Sequence, residues 1–440
     1  MIGKLLVLSL VGGCTSTTYC DATLHQICPD GTICDASKLD CPNNNPHACI
    51  CPSGPSGPPT PSPTPAPPAG NSTAFFTKGR KIFVSTPGGG SELFIIRGFS
   101  YSNALIGEGA PNDGDEFAYD AFMHPDRCAQ DFALMRSYNV NSIKLYAFNA
   151  MNSTVQGLHL KCLDQAWNGG HKPIFVTLSV WIDILPFSSS VEKQLIVQNY
   201  ATMVNVTRHH PAVWAYSIGS EIGGDPNNNP AYWSDFNIVA KTVRSAMGSY
   251  QKLITTGSYQ TNGVSPDVPC IGHISNGEKY GAIVDVWGVD VYSPDPDDED
   301  LMENIKKYTT KPFWFPEYGV NFQPSQGKTE EQLSATLYSM AVGLFANTVN
   351  LTSSEDSAQV YSGGMMFEWI DEYWKGGHNC YPNPNSAQPW YGVNAVALRS
   401  GCTCTTNRTS ACKTDLREPR LILTKYVPIL FPEYIPRSYS

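Results

Sequence analysis

Two glutamates in this 440-residue chain are delivered to the ends of apolar runs in the same way. Val213–Gly223 reads VWAYSIGSEIG, an apolar run leading into Gly219, Ser220 and Glu221. Pro312–Asn321 reads PFWFPEYGVN, an aromatic run reaching Glu317, 96 residues later. Runs of this kind bounded by glycine read as buried parallel strands, covered on both faces. Taken singly, a carboxylate so placed is as readily a cap for the next helix or the partner of a lysine. Two of them on strand ends suit glycoside hydrolysis, which needs one neutral carboxyl to protonate the leaving oxygen and one carboxylate to attack. Like charges that close do not both persist, so one pKa is raised and the two protonation states separate.

Such residues need a frame, and the chain supplies a repeating one. From Phe75 onward apolar runs alternate with helical stretches, the pattern of a parallel α/β sheet or barrel. Eight strands are expected, at Leu93–Phe99, Ser142–Phe148, Pro173–Val180, Val213–Ile218, Lys252–Thr256, Val284–Val291, Pro312–Phe315 and Gly364–Trp369. Helices are expected at Asp126–Ser137, Val191–Thr207, Trp233–Ala246 and Thr329–Ala346. The count fits an α/β fold of the (β/α)8 TIM-barrel type over residues 73–440, with Glu221 after the fourth strand and Glu317 after the seventh.

Composition narrows the partners. The chain is 41% hydrophobic but only 15% charged, and its net charge of −10 argues against nucleic acid and anionic membrane surfaces. A polysaccharide or oligosaccharide suits it better, with no cofactor and no metal. The acidic run DPDDED at Asp295–Asp300 lacks the spacing of a calcium loop and reads as a solvated loop.

Residues 1–16 have the look of a secretory signal, with Lys4 before the short apolar run LLVLSLV and small residues after it. That run is too short to span a bilayer. Fourteen cysteines and sequons at Asn71, Asn152, Asn205, Asn350 and Asn407 agree with secretion to the extracellular space or cell wall. Residues 17–52 carry Cys20, Cys28, Cys34, Cys41, Cys49 and Cys51, a spacing that reads as a small disulfide module of open connectivity. A zinc site is the alternative there, but no histidine or CxxC pairing has the right spacing. Wall or glycan binding and a mere stabilising cap are both compatible with such a module. Residues 53–72 are a proline-rich linker of extended polyproline character. Cys380, Cys402, Cys404 and Cys412 staple a loop at 376–415, and Cys128–Cys162 is one open pairing. The last residues contain charges and prolines and do not read as a lipid-anchor signal.

Several motifs together carry a resemblance. FIIRGFSY (Phe94–Tyr101), CAQDFALMRSYNVNSIKLYAFN (Cys128–Asn149), VWGVDVY (Val286–Tyr292), PFWFPEYGVN and SGGMMFEW (Ser362–Trp369) are similar in order and spacing to the clan A retaining glycoside hydrolases. Within that clan they most resemble the fungal β-1,3-glucanosyltransferases, glycoside hydrolase family 72. The resemblance implies that Glu221 is the acid/base, Glu317 the nucleophile, and Tyr292 a hydrogen-bonding partner of that nucleophile. It also implies substrate contacts from Ser220, Tyr101, Tyr146 and Trp369, although Trp369 would serve equally as a core residue, and a core tyrosine is the lesser alternative for Tyr292. Two positions depart from the family pattern: Ser220 stands where asparagine is expected, and Lys144 where arginine is expected. The function implied is a secreted glycosidase or transglycosylase that remodels cell-wall β-glucan. The alternatives are a catalytically weakened barrel that binds glycan, and another clan member such as a β-mannanase. EWIDEYW (Glu368–Trp374) adds acidic and aromatic groups that would line a subsite.

Overall fold

The computed structural model describes residues 19–20, 25–27, 33–35, 73–86, 89–104, 119–151, 153–224, 226, 229–257, 269–292, 299–373, 375, 383–398 and 415–432. The chain divides into two compact units, Met1–Pro67 and Pro68–Ser440. In the first, three short antiparallel strands are described, Tyr19–Cys20, His25–Ile27 and Ile33–Asp35 (β1–β3). The expected signal segment, most of the cysteine module, the linker 53–72, and Cys380, Cys402, Cys404 and Cys412 lie outside the described residues.

The second unit opens with an antiparallel three-stranded sheet, Phe75–Lys78 (β4), Lys81–Ser85 (β5) and Ser91–Leu93 (β6). Eight parallel strands follow: Ile96–Ser100 (β7), Ser142–Lys144 (β8), Phe175–Val180 (β9), Val213–Ile218 (β10), Leu253–Thr255 (β11), Trp287–Gly288 (β12), Phe313–Tyr318 (β13) and Tyr361–Met366 (β14). Each pairs with its neighbour in chain order, β14 pairs back onto β7, and a Thr255–Val286 bridge joins β11 to β12. The sheet is therefore a closed (β/α)8 barrel. All eight strands fall within the runs expected for them or overlap them closely. β9, β10, β13 and β14 are buried at every position, as strands covered on both faces must be.

The helices are Pro125–Ser137 (α1), Ser153–Trp167 (α2), Ser190–Thr207 (α3), Pro230–Met247 (α4), Pro269–Lys279 (α5), Glu299–Tyr308 (α6), Glu330–Ala346 (α7) and Val427–Leu430 (α8). Their starts are written in the sequence. Ser189 caps α3, Asn229 before Pro230 caps α4, and Thr329 with Gln332 forms a capping box on α7. α4 turns Trp233, Phe236, Val239, Ala240, Val243 and Met247 inward at three- and four-residue spacing. Each large side chain there contributes about 1.5–3 kcal/mol by leaving water. A disulfide between Cys128 and Cys162 ties α1 to α2. Among the described residues no helix is long and apolar enough to cross a membrane.

At the amino end of the strands, Phe75 from the small sheet and Phe94 just after it pack edge-on against Phe175, Trp214 meets Phe75 tilted and Phe94 edge-on, and Trp214 meets Trp314. This aromatic plug forms a second core beneath the main one. Lys252, buried beside it, donates to the carbonyls of Thr73 and His210. Two strands, Asn394–Leu398 (β15) and Asp415–Pro419 (β16), form an antiparallel ribbon near the carboxyl terminus.

Candidate active site

Glu317 lies inside β13, immediately after Pro316, and is 3% exposed. Glu221 follows β10 in a tight turn in which two of three successive residues have positive φ, Gly219 at 62° and Glu221 at 46°. Glycine adopts that region without cost, whereas a glutamate there stores strain, a feature that concentrates at functional sites. The turn brings Glu221 toward Glu317. One carboxyl oxygen from each of Glu221, Asp290 and Glu317 lies within 4.8 Å of the other two. That spacing is on the short side of the about 5–5.5 Å of retaining glycosidases and far from the about 6.5–9.5 Å of inverting ones.

The Glu317 carboxylate is held from both sides. Lys144, fully buried on β8, donates to its Oε1 across 2.9 Å, and the Tyr292 hydroxyl donates to its Oε2. Lys144 also donates to Ser220 Oγ at 2.8 Å, and that oxygen stands 3.4 Å from Glu317 Oε1. The Tyr146 ring lies 4.4 Å from the Lys144 ammonium, a cation–π contact. Three carboxyls this close would attract a cation, and the Lys144 ammonium already fills that part among them.

Electrostatics separate the two glutamates. Burial works to raise the Glu317 pKa, but the Lys144 charge and the hydrogen bonds from Tyr292 and Lys144 outweigh it and leave the carboxyl below its ordinary value. Burial and then the Glu317 charge push Glu221 up to about 8. Near neutral pH the site therefore holds one carboxylate and one protonated carboxyl, a pairing able to serve acid-assisted glycosyl displacement. Burial followed by the Glu317 charge raises Asp290 well above its usual value as well.

The wall beside Glu317 is aromatic. Tyr292, Phe367 and Tyr391 meet pairwise with centroids 5.3–5.9 Å apart, and Phe367 also meets Tyr146 edge-on. Lys375 stands 5.0 Å over the Phe367 ring and pairs with Glu372. Burial opposes the Lys375 charge, yet Glu372 and Glu368 beside it hold the ammonium above its ordinary value. The next carboxylate, Asp371, is clamped by Arg420 through two 2.8 Å bonds, so the segment after β14 is tied to the end of β16.

The structure thus gathers Glu221, Glu317, Ser220, Tyr292 and Tyr146 and sets two other expected residues apart. Tyr101 is wholly buried between β7 and α1, its hydroxyl donating to Asp131 at 2.8 Å, within a network that includes Asn103 and Arg417. Trp369 is wholly buried against Phe99, 5.2 Å away, and its backbone N–H bonds the Ser100 carbonyl. Both are core residues, because at those positions the side chain turns toward the helix layer. Phe367, two residues earlier, instead lies in the aromatic wall beside Glu317, against Tyr146, Tyr292 and Tyr391. Sequence reasoning passed over Asp290, Phe367, Tyr391 and Lys375; only Asp290 carries a local signal, as a carboxylate between valines in VWGVDVY.

The sequence pattern of the glucanosyltransferase family, glycoside hydrolase family 72, matches residues 69–382. No curated protein matches the chain in sequence. Among solved structures, an Eisenbergiella tayi β-galacturonidase bound to galacturonate aligns at 14% identity and a TM-score of 0.55, over 83% of this chain and 54% of that one. A Bifidobacterium dentium β-glucuronidase complexed with a coumarin glucuronide aligns at 12% identity and 0.52, over 84% and 50%. Saccharomyces cerevisiae Gas2p, in complex with laminaritriose and laminaritetraose, aligns at 16% identity and 0.50, over 84% and 70%. This chain spans about half the length of the two bacterial proteins. At these identities the likeness is one of fold.

Proposed function

The chain belongs to the glucanosyltransferase family, glycoside hydrolase family 72, and from that premise we propose that it is a secreted retaining enzyme that cleaves and rejoins β-1,3-glucan. In this reading Glu317 attacks the anomeric carbon while Glu221 protonates the departing oxygen, leaving a glycosyl ester on Glu317. Glu221, now a carboxylate, then takes a proton from an incoming sugar hydroxyl, or from water, as that oxygen displaces Glu317. Lys144 and Tyr292 keep the nucleophile ionised and aimed. Tyr146 and the aromatic faces of Phe367 and Tyr391 border the reacting sugar.

The observation that carries this reading is the short separation of Glu221 and Glu317 with opposed shifts, one raised and one lowered. The laminari-oligosaccharides in the Gas2p complex support a β-1,3-linked substrate. Secretion rests on the signal-like residues 1–16 and the cysteine-rich segment, and a wall-binding part for residues 17–52 belongs to the same reading.

The test is incubation of the full chain with a reduced β-1,3-gluco-oligosaccharide, followed by chromatography of the products. Longer and shorter products together are expected, the outcome of transfer. Shorter products alone assign a hydrolase. An unchanged substrate overturns the enzymatic reading in favour of a glycan-binding barrel.

A further inference from the structure

Asp290 is a buried carboxyl that the two-glutamate mechanism does not use. It is 0% exposed, and neither of its oxygens reaches a hydrogen-bond partner. The Glu317 backbone N–H, which favours its charged form, stops short of normal hydrogen-bond geometry. A buried polar group left so is costly unless something outside the chain completes it. The fold keeps room for this carboxyl: a Cβ added to Gly257 would stand 3.2 Å from Asp290 Oδ2. One of its oxygens lies within 4.8 Å of an oxygen of Glu221 and of an oxygen of Glu317.

The other polar groups there are committed, except the buried Tyr146 hydroxyl, which like Asp290 has no hydrogen-bond partner. Ser220 Oγ accepts from Lys144, Glu317 accepts from Lys144 and Tyr292, and Glu221 holds the proton destined for the leaving group. The hydroxyl next to the anomeric carbon gains strength as a hydrogen-bonding partner in the transition state and needs a group to meet it. We propose that Asp290 is a substrate-binding residue whose carboxyl holds that hydroxyl on the sugar seated between Glu221 and Glu317.

The charged and titratable groups around Asp290 suit this part. Glu317 comes from β13, Glu221 from the turn after β10, Lys144 from β8, Tyr146 from beyond β8, and Tyr292 from two residues along its own run. With one ammonium among three carboxyls, Asp290 keeps its proton and so both donates to and accepts from a sugar hydroxyl.

The inference rests on the glycosidase reading and deepens it, so the test separates the two. Affinities are measured by calorimetry for two iminosugars, one bearing the hydroxyl next to the anomeric position and one lacking it. Asp290→Ala is expected to weaken the first by tenfold or more and the second by less than threefold. Asp290→Asn, which keeps a planar hydrogen-bonding group, is expected to retain most of the affinity for the first. Equal losses for both ligands, or none for either, overturn the proposal, and the asparagine variant decides the matter if the alanine variant does not fold. A parent protein that binds neither iminosugar and leaves β-1,3-gluco-oligosaccharides intact overturns the glycosidase reading itself, and this inference with it.

Discussion

Lys144 and Ser220, the two positions where the sequence reading expects a departure from the family pattern, touch: the Lys144 ammonium donates to the Ser220 hydroxyl across 2.8 Å. The departures are therefore one arrangement. A short hydroxyl leaves room for the straight ammonium to reach Glu317, where a longer amide at 220 would press on it. Lysine as a point charge suits this role, since it needs no planar fork to serve two single acceptors.

Changing either member alone is expected to hurt. Ser220→Asn lowers turnover, because the larger side chain displaces Lys144 from Glu317. Ser220→Ala removes one acceptor from a buried ammonium and costs roughly 1–2 kcal/mol, about tenfold or somewhat more in rate. The Ser220→Asn, Lys144→Arg double variant should recover more than the sum of the single effects. Steady-state rates for the four proteins check this, and strict additivity would refute the coupling.

The pH dependence follows from the opposed carboxyls. In the proposed mechanism Glu317 must be ionised and Glu221 protonated, so the rate should fall on the alkaline side as Glu221 titrates near about 8. Lys375 lowers that carboxyl, so Lys375→Met should move the alkaline limb upward. Stability carries the same signature. A carboxyl raised on folding contributes stability that is fully present below its unfolded value of about 4.3 and is lost as pH rises through the folded one. Glu221→Gln should therefore melt higher than the parent at pH 8 and alike at pH 4, a difference that thermal melts in two buffers will reveal.

The Arg420–Asp371 clamp is expected to govern both stability and activity. Both side chains are buried, so Arg420→Met leaves Asp371 as an unpaired interior carboxylate and costs about 3–5 kcal/mol. Arg420→Lys should rescue little, because lysine cannot make the paired bonds. A melting temperature within 2 °C of the parent's, a shift of no more than about 1.5 kcal/mol for a domain this size, would contradict this account.

Truncation has a sharp expected limit. A chain beginning at Asn71 should fold and act on soluble oligosaccharide, since the second compact unit starts at Pro68. One beginning at Phe76 should be destabilised, because it lacks the Thr73 carbonyl that Lys252 binds and the Phe75 ring of the plug. Circular dichroism melts of the two chains distinguish these outcomes. Loss confined to insoluble glucan in the first chain would mark residues 17–52 as a binding module.

The barrel was legible because parallel strands are marked by apolar runs, and α3, α4 and α7 by their caps. Glu221 and Glu317 were legible because those runs end on them. Tyr101 and Trp369 were misread because a position near a strand's end does not say which layer the side chain enters. Phe367, Tyr391 and Lys375 reach the site only through the folding of the segment after β14, and contacts so far apart in sequence leave no local pattern. The positive φ of Glu221 had no signal beyond its neighbour Gly219.

The aromatic plug at the amino end of the barrel has a consequence for traffic. With Phe75, Phe94, Phe175, Trp214 and Trp314 filling the floor, the described barrel is a blind well. A glucan strand that enters from the mouth must leave by it, and so must the severed piece. The departing fragment and the incoming acceptor then share one doorway, and the first has to clear it before the second arrives. Order of passage, imposed by a stopper of rings far from any reacting atom, would show itself as parallel lines when donor and acceptor concentrations are varied together.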